Sequence, residues 1–365
     1  MKLEEIIANI SYLTLPLGFI ALEVFYQLRG RLIKKHKDYD TTLRSEDFTI
    51  LVPLWGKIEI LAKETLEVLI KNKDKVIILT NTTSSEAFYK HLDDLGLKYI
   101  QFVIEKRPNP WKLFKEYFLY YTVNTKYTIF LDADSFPVEE MQVLIGNAEA
   151  NKYDIASTNV VAWNQSNIIE YLQNIEYTNA MIARRVYPWL TSGACVIGRT
   201  QVLKEIFKTH TCFNQGGDIE IGKKAHSMGY NVGHLSCIVM TYVPSTIKKW
   251  IKQRGYWMSG TFRHTIMNMF FEIWKFPMFF VYSVIVTYLL FPFRFYGFLH
   301  LTALLYIIPI YWIIMFTFNW KYRSWKLLLA PIYDLFQIMI ITPIGVYRYI
   351  QYVIEHKNIG IIRNK

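Results

Sequence analysis

Short apolar runs alternate with amphipathic stretches along the first part of the chain. Phe48 to Pro53 (Phe-Thr-Ile-Leu-Val-Pro) predicts a buried strand, and Glu59 to Lys71 has the apolar spacing of a surface helix. Lys75 to Thr80 predicts a second buried strand, followed by a polar loop over Asn81 to Ser85. Glu86 to Leu95 predicts a helix stopped by Gly96, and Tyr99 to Ile104 a third strand. Pro108-Asn109-Pro110 is a break before a helix from Trp111 to Thr122, and Tyr127 to Leu131 is a short buried strand. Strands alternating with helices predict βαβ units and a mostly parallel sheet covered on both faces, so the fold class is α/β. Beyond Asp134 the pattern is mixed. Tyr153 to Val161 and Ser192 to Ile197 have strand character, Ile168 to Arg185 helical character. Gly216-Gly217-Asp218 leads a helix to Met228, ended by Gly229, and Asn231 to Tyr242 is extended.

Longer apolar stretches lie at the two ends. Ile6 to Leu22 carries no formal charge and is near the lower limit for a transmembrane helix. A signal peptide would want its basic residues first; here the start is Met-Lys-Leu-Glu-Glu and the basic cluster comes after the helix. That cluster, Arg29, Arg31, Lys34, Lys35 and Lys37, assigns its side to the cytoplasm. Pro244 to Phe271 is basic and aromatic and suits a helix lying at a membrane interface. Pro277 to Phe293 and Leu299 to Phe318 are strong spanning candidates. Leu327 to Val346 is weaker, because Pro331, Asp334, Gln337 and Pro343 interrupt it. It is expected to be re-entrant or interfacial, since a full crossing would export Arg348, Lys357, Arg363 and Lys365. The expected domains are a transmembrane helix over 1–28, a cytoplasmic α/β domain over 29–243, amphipathic interface helices over 244–275, and a membrane region over 276–365. The expected location is the cell membrane, with the α/β domain cytoplasmic.

Composition agrees with contact with a lipid bilayer. Of 365 residues, 52% are hydrophobic and 16% aromatic. The net charge of +11 fits acidic substrates or an anionic membrane. No Arg-rich arm, zinc-finger spacing or RNA-binding aromatic motif accompanies it, so nucleic acid is not an expected partner. Three widely spaced cysteines (Cys195, Cys212, Cys237) form no disulfide framework, and His210 beside Cys212 is expected to be ordinary packing.

Candidate chemistry begins at Asp132-Ala133-Asp134, where the strand gives way to a loop. Ligands of open α/β sheets bind outside the carboxyl ends of the strands. Acids there favour a hard cation such as Mg²⁺, which takes one or two carboxylates plus substrate phosphates. On an extended strand the two acids share a face, the first towards a nucleotide and Asp134 towards a metal. The competing reading is a solvated Asp-Ala-Asp-Ser turn. Asp218, behind two glycines, is either a helix N-cap or a carboxylate brought close to a ligand. In Trp250-Ile251-Lys252-Gln253-Arg254-Gly255-Tyr256-Trp257, one helical face shows Trp250, Gln253 and Trp257 with Arg254 beside it. Indoles stack on sugars and arginine grips diphosphate, while an interfacial aromatic belt is the plainer explanation. Thr191-Ser192-Gly193-Ala194 is a small-residue segment able to floor a site.

Taken in this order, these residues resemble the membrane-anchored family 2 glycosyltransferases, such as hyaluronan, chitin and cellulose synthases. Val52-Pro53-Leu54-Trp55 looks like the first-strand motif near the donor base. Asp132-Ala133-Asp134 matches the DxD motif, Ser192-Gly193-Ala194 the acceptor segment, and Gly217-Asp218 the acidic pair whose second member is the base. Gln253 to Trp257 resembles the QxxRW motif, and Lys357-Asn358-Ile359-Gly360 with Arg363 the tail after the last membrane helix. Three positions depart from the pattern. Thr80-Asn81 replaces the aspartate that reads uracil and ribose, Gly217 replaces the first acid, and Tyr256 replaces the motif arginine, whose charge Arg254 is expected to supply.

The resemblance implies a GT-A-like domain and inverting transfer of a sugar from a nucleotide-sugar donor, a UDP-sugar being the first expectation, with Mg²⁺ or Mn²⁺. Pro53, Trp55, Asn81, Lys112, Asp132, Asp134 and Arg254 would hold the donor, and Asp134 the metal. Ser192, Gly193, Gln253 and Trp257 would hold the acceptor, with Asp218 as base. The acceptor is a growing polysaccharide or, alternatively, a lipid or lipid-linked sugar. The few membrane spans leave a one-chain channel incomplete, and homo-oligomerisation would supply the rest. A catalytically inactive membrane scaffold is the reading from another class.

Overall fold

The computed structural model describes residues 18–33 (apart from 19 and 23), 39–54, 60–81, 84–103, 109–213, 215–292 and 301–356. Most of the first expected span, Trp55, the 293–300 boundary of the spanning candidates and the tail motif with Arg363 lie outside the described residues. The chain divides into two compact units.

The first unit comprises residues 33–165, 187–243 and 353–365. It is built on strands β1 (Phe48–Pro53), β2 (Val76–Asn81), β3 (Lys98–Phe102), β4 (Tyr127–Leu131), β5 (Ser135–Pro137), β6 (Ile155–Ala162), β7 (Cys195–Arg199) and β8 (Val232–Thr241). They form one sheet in the order β3-β2-β1-β4-β7-β6-β8-β5. The pairs β1–β2, β2–β3, β1–β4 and β6–β8 are parallel, whereas β4–β7, β6–β7 and β5–β8 are antiparallel. The sheet is therefore mixed, with four parallel pairs and three antiparallel ones. A strand such as Cys195–Arg199, covered on both faces, reads as a continuous apolar run whichever way it points, so its direction leaves no mark on the pattern.

The helices of this unit are α1 (Lys63–Lys71), α2 (Glu86–Asp94), α3 (Pro110–Tyr120), α4 (Met141–Ala150), α6 (Thr200–Thr209) and α7 (Gly217–Ser227). Ile50 and Val52 of β1 pack with Leu69, Leu92 and Leu144 of α1, α2 and α4 on one face. Leu51 and Phe130 pack with Phe114, Phe118, Leu203 and Phe207 of α3 and α6 on the other. Because both faces of the sheet are covered, β1 is fully buried, and the carboxyl ends of the parallel strands β1, β2 and β4 point the same way, to one end of the sheet.

The second unit comprises residues 1–32, 166–186 and 244–352. It contains α5 (Ile168–Val186), α8 (Ile247–Met267), α9 (Met269–Lys275), α10 (Pro277–Leu289), α11 (Leu301–Phe318) and α12 (Trp325–Glu355). The sequence puts α5 inside a 29–243 domain, but the helix groups here instead. Its Tyr171, Leu172 and Ile175 complete a cluster with Trp250, Leu327 and Tyr333. By length and composition, α12 is the one helix among the described residues able to cross a membrane; Pro277–Leu289 and Ile307–Phe318 are shorter apolar helices. The interruptions between Leu327 and Val346 are absorbed as 3₁₀ and π turns within a continuous helix.

Candidate active site

Strand β4 ends at Leu131, and Asp132 to Ser135 form a turn closed by the Ser135 N–H donating to the Asp132 carbonyl at 3.1 Å. The acids are thus paired by a turn and not by strand alternation. The turn is tied on every side. Asp132 N–H donates to Ala194 O at 3.2 Å, Ala62 N–H to Ala133 O at 3.0 Å, and Tyr242 N–H to Asp134 O at 3.0 Å. Ser135 Oγ donates to Thr241 Oγ1 at 2.8 Å, joining β5 to β8.

Both carboxylates are only partly exposed. Burial, then Asp134 and Asp218, push the Asp132 carboxyl well above the usual range. Burial raises Asp134 too, opposed by hydrogen bonds from Ser135 and Thr241. Asp132 and Asp218 thus feel one another although they lie far apart in sequence. Anions crowded in a half-dry site favour a hard cation. Among the described residues no three His, Cys, Asp or Glu side chains are grouped to hold a metal alone. The donor set still fits Mg²⁺ or Mn²⁺, which need only one or two carboxylates when substrate phosphates complete the shell.

Asp218 stands in the first turn of α7, behind the cap. Gly216 is the N-cap, with φ of 84°, a conformation that favours glycine. The capping explanation of Asp218 therefore does not hold. Thr191 Oγ1 donates to the Asp218 carbonyl. A Cβ built on Gly193 would lie 3.4 Å from Asp218 Oδ2, so the small-residue segment before β7 faces the carboxylate directly. At Gly217 an added Cβ would overlap the Trp111 indole. That ring occupies the space of the side chain this chain lacks at 217.

Pro53 and Asn81, expected on the donor side, sit buried at the ends of β1 and β2, and Tyr89 Oη donates to the Asn81 carbonyl at 2.9 Å. Lys112 is exposed in the first turn of α3, whose N-cap Asn109 accepts from Trp111 N–H at 3.0 Å. Cys195, on β7, is buried with its thiol pushed up to about 12, first by burial and then by Asp132, so it stays protonated and unreactive.

Gln253, Arg254 and Trp257 belong to the other unit. Arg254 is 3% exposed and pairs with Glu176, Nη2 at 2.9 Å and Nε at 3.1 Å from Oε2. It also donates to Gln173 Oε1 at 3.3 Å and to Gln253 Oε1. Tyr333 Oη donates to the same Glu176 carboxylate. Arg254, expected to grip diphosphate, is thus engaged by Glu176 inside the helical unit. The guanidinium lies 4.2 Å from the Trp257 ring centroid, and Tyr177 stacks at 6.1 Å. Trp257 remains 43% exposed. Trp111 and Glu176 escape sequence reasoning, because each matters through a neighbour distant in the chain.

A family model described as Glycosyl transferase family group 2 matches residues 127–339. No curated protein matches the chain significantly. Among solved structures, the chain is similar to the mannosyltransferase PcManGT from Pyrobaculum calidifontis in complex with GDP-Man and Mn²⁺. Identity is 12% over 97% of this chain and 99% of that one, with a TM-score of 0.56, a likeness of fold. It is also similar to S. aureus TarS at 14% identity over 82% of this chain and 55% of that one, with a TM-score of 0.39.

Proposed function

The chain belongs to glycosyl transferase family group 2, and from that premise we propose that it transfers a sugar, with inversion, from a nucleotide-sugar donor to a growing polysaccharide at the cytoplasmic membrane face. The observation that carries the reading is that Asp132 and Asp218 stand against one segment, with Asp132 N–H on Ala194 O and Gly193 against the Asp218 carboxylate. Asp218 takes the proton of the acceptor hydroxyl as that oxygen attacks the anomeric carbon. The bond to the diphosphate oxygen breaks, and its electron pair leaves with the nucleoside diphosphate. The sugar passes through an oxocarbenium-like transition state, as in glycoside hydrolysis. Asp134 would hold a divalent cation and Asp132 would face the nucleotide. When bound, the cation offsets charge on the leaving diphosphate.

Pro53, Trp55, Asn81 and Lys112 complete the donor side in this reading, and Ser192, Gly193, Gln253 and Trp257 the acceptor side. Trp257 supplies a platform that orients the acceptor sugar. UDP-sugars are the first donors to test. GDP-mannose is second, because PcManGT is seen with GDP-Man and Asn81 stands where the uracil-reading aspartate is expected. Screening nucleotide sugars for Mg²⁺- or Mn²⁺-dependent release of nucleoside diphosphate tests the proposal; no release from any donor would leave the inactive scaffold. The sequence carries few apolar segments for a one-chain channel, which keeps single-sugar transfer to a lipid-linked acceptor as the second reading. Sizing the product made from a radiolabelled donor separates the two.

A further inference from the structure

We propose that His210 is a positioning residue for Asp218, acting through the Gly217 carbonyl; this rests on the reading of Asp218 as the base. His210 is fully buried in the segment between α6 and α7. The Cys212 backbone N–H donates to its Nδ1 at 3.1 Å, which makes Nδ1 an acceptor. The ring proton is therefore on Nε2, which lies 3.0 Å from the Gly217 carbonyl and donates to it. The peptide held in this way is the one that joins Gly217 to Asp218. Thr191 Oγ1 holds the next carbonyl, that of Asp218 itself. Two successive peptides at the start of α7 are thus fixed by side chains from outside the helix.

The surroundings leave the ring little freedom. Thr211 donates to Glu220 through its backbone N–H and its hydroxyl, each at 2.8 Å, which closes the segment onto α7. Cys212 Sγ donates to Trp111 O at 3.2 Å, and Asn109 Nδ2 to Cys212 O at 3.0 Å, which ties the same segment to α3. Trp111 in turn lies against Gly217, where no side chain intervenes. Withdrawing the imidazole donor removes one of the contacts that set the Gly217–Asp218 peptide, and the carboxylate shifts with it. A displacement of about 1 Å at a reacting group costs up to 10²-fold in rate.

The amide of glutamine can reproduce the Nε2 donor, and the carbonyl of asparagine the Nδ1 acceptor. The two variants therefore separate the Gly217 contact from the Cys212 contact. His210→Asn should lower kcat by about tenfold to a hundredfold while nucleotide affinity and donor KM stay within twofold to threefold. His210→Gln should restore kcat to within about threefold. Equal losses of kcat in both variants would mean a merely structural side chain and overturn the proposal. Unchanged kcat in His210→Asn, with turnover lost in Asp218→Asn, would overturn it as well. Should His210→Asn not fold, a His210→Gln protein that binds nucleotide normally but has lost tenfold or more in kcat does the same. Normal turnover in Asp218→Asn would instead remove the base assignment on which the inference stands.

Discussion

Asp134 and Asp218 carry different parts of the proposed chemistry, and single substitutions should split them. Asp134→Asn removes a charged ligand and should weaken Mn²⁺-dependent nucleotide binding. Asp218→Asn should leave that binding intact yet cut turnover by about 10²–10⁴-fold, the range for a positioned base. Calorimetry with Mn²⁺ alongside a turnover assay measures both, and near-normal turnover in Asp218→Asn would end the catalytic assignment. Helix capping cannot blur this result, because Gly216 holds the cap position. Gly217 makes a second residue-level case. Alanine is the better helix former, but its Cβ would meet the Trp111 ring. Gly217→Ala should therefore destabilise the protein by about 1–3 kcal/mol, read as a lower melting temperature, and an unchanged or raised value would mean that Trp111 gives way freely. The acids themselves were legible in the chain, as a carboxylate pair at a strand end and an acid behind two glycines. The cause of the glycine was not, since Trp111 lies far from it in sequence.

At the scale of elements, α5, α8 and α12 are joined by the buried Arg254–Glu176 pair, with Tyr333 on the same carboxylate. Glu176→Ala leaves a buried guanidinium unpaired and should cost about 3–5 kcal/mol. Thermal or denaturant unfolding would register the loss, and a cost below 1 kcal/mol would show the pair to be dispensable. The same arginine lies over the Trp257 ring, so the helix presents an indole whose orientation is already set. Trp257→Ala should weaken use of the acceptor by a stacking contact of about 1 kcal/mol or more, leaving nucleotide binding within a few-fold. Loss of nucleotide binding in that variant would reassign the helix to the donor. Helical spacing was enough to put Gln253 and Trp257 on one face. It could not reveal that Arg254 turns inward, because Glu176 comes from another helix.

At the scale of the molecule, the proposed membrane contact turns on helix α12. Helix α12 is long enough to cross, at about 1.5 Å per residue against a core of about 30 Å. It nevertheless follows the basic helix α8 at separated points. Tyr333 accepts from Trp250 Nε1 at 2.8 Å, and Arg348 donates to Lys252 O at 2.9 Å and lies 4.5 Å over the Tyr256 ring. We expect α12 to lie at the interface beside α8, with Arg348 and the residues after it cytoplasmic. A protease site engineered after Lys365 should be cut only from the cytoplasmic side; cleavage only from outside would establish a crossing.

The sequence by itself determined most of the elements and where their candidate chemistry stands. Apolar period and strand-end polarity are local properties, so β1, β2, β4 and α7 could be read from neighbouring residues, along with Asp132, Asp134 and Asp218. Tertiary structure decided what depends on contacts between distant segments. It set β7 antiparallel beside β4, moved α5 out of the sheet domain, turned Arg254 onto Glu176, and put Trp111 where a side chain at 217 would stand. A buried strand hides its direction because both faces are apolar, and an ion pair or a filled space leaves no periodic trace along one chain.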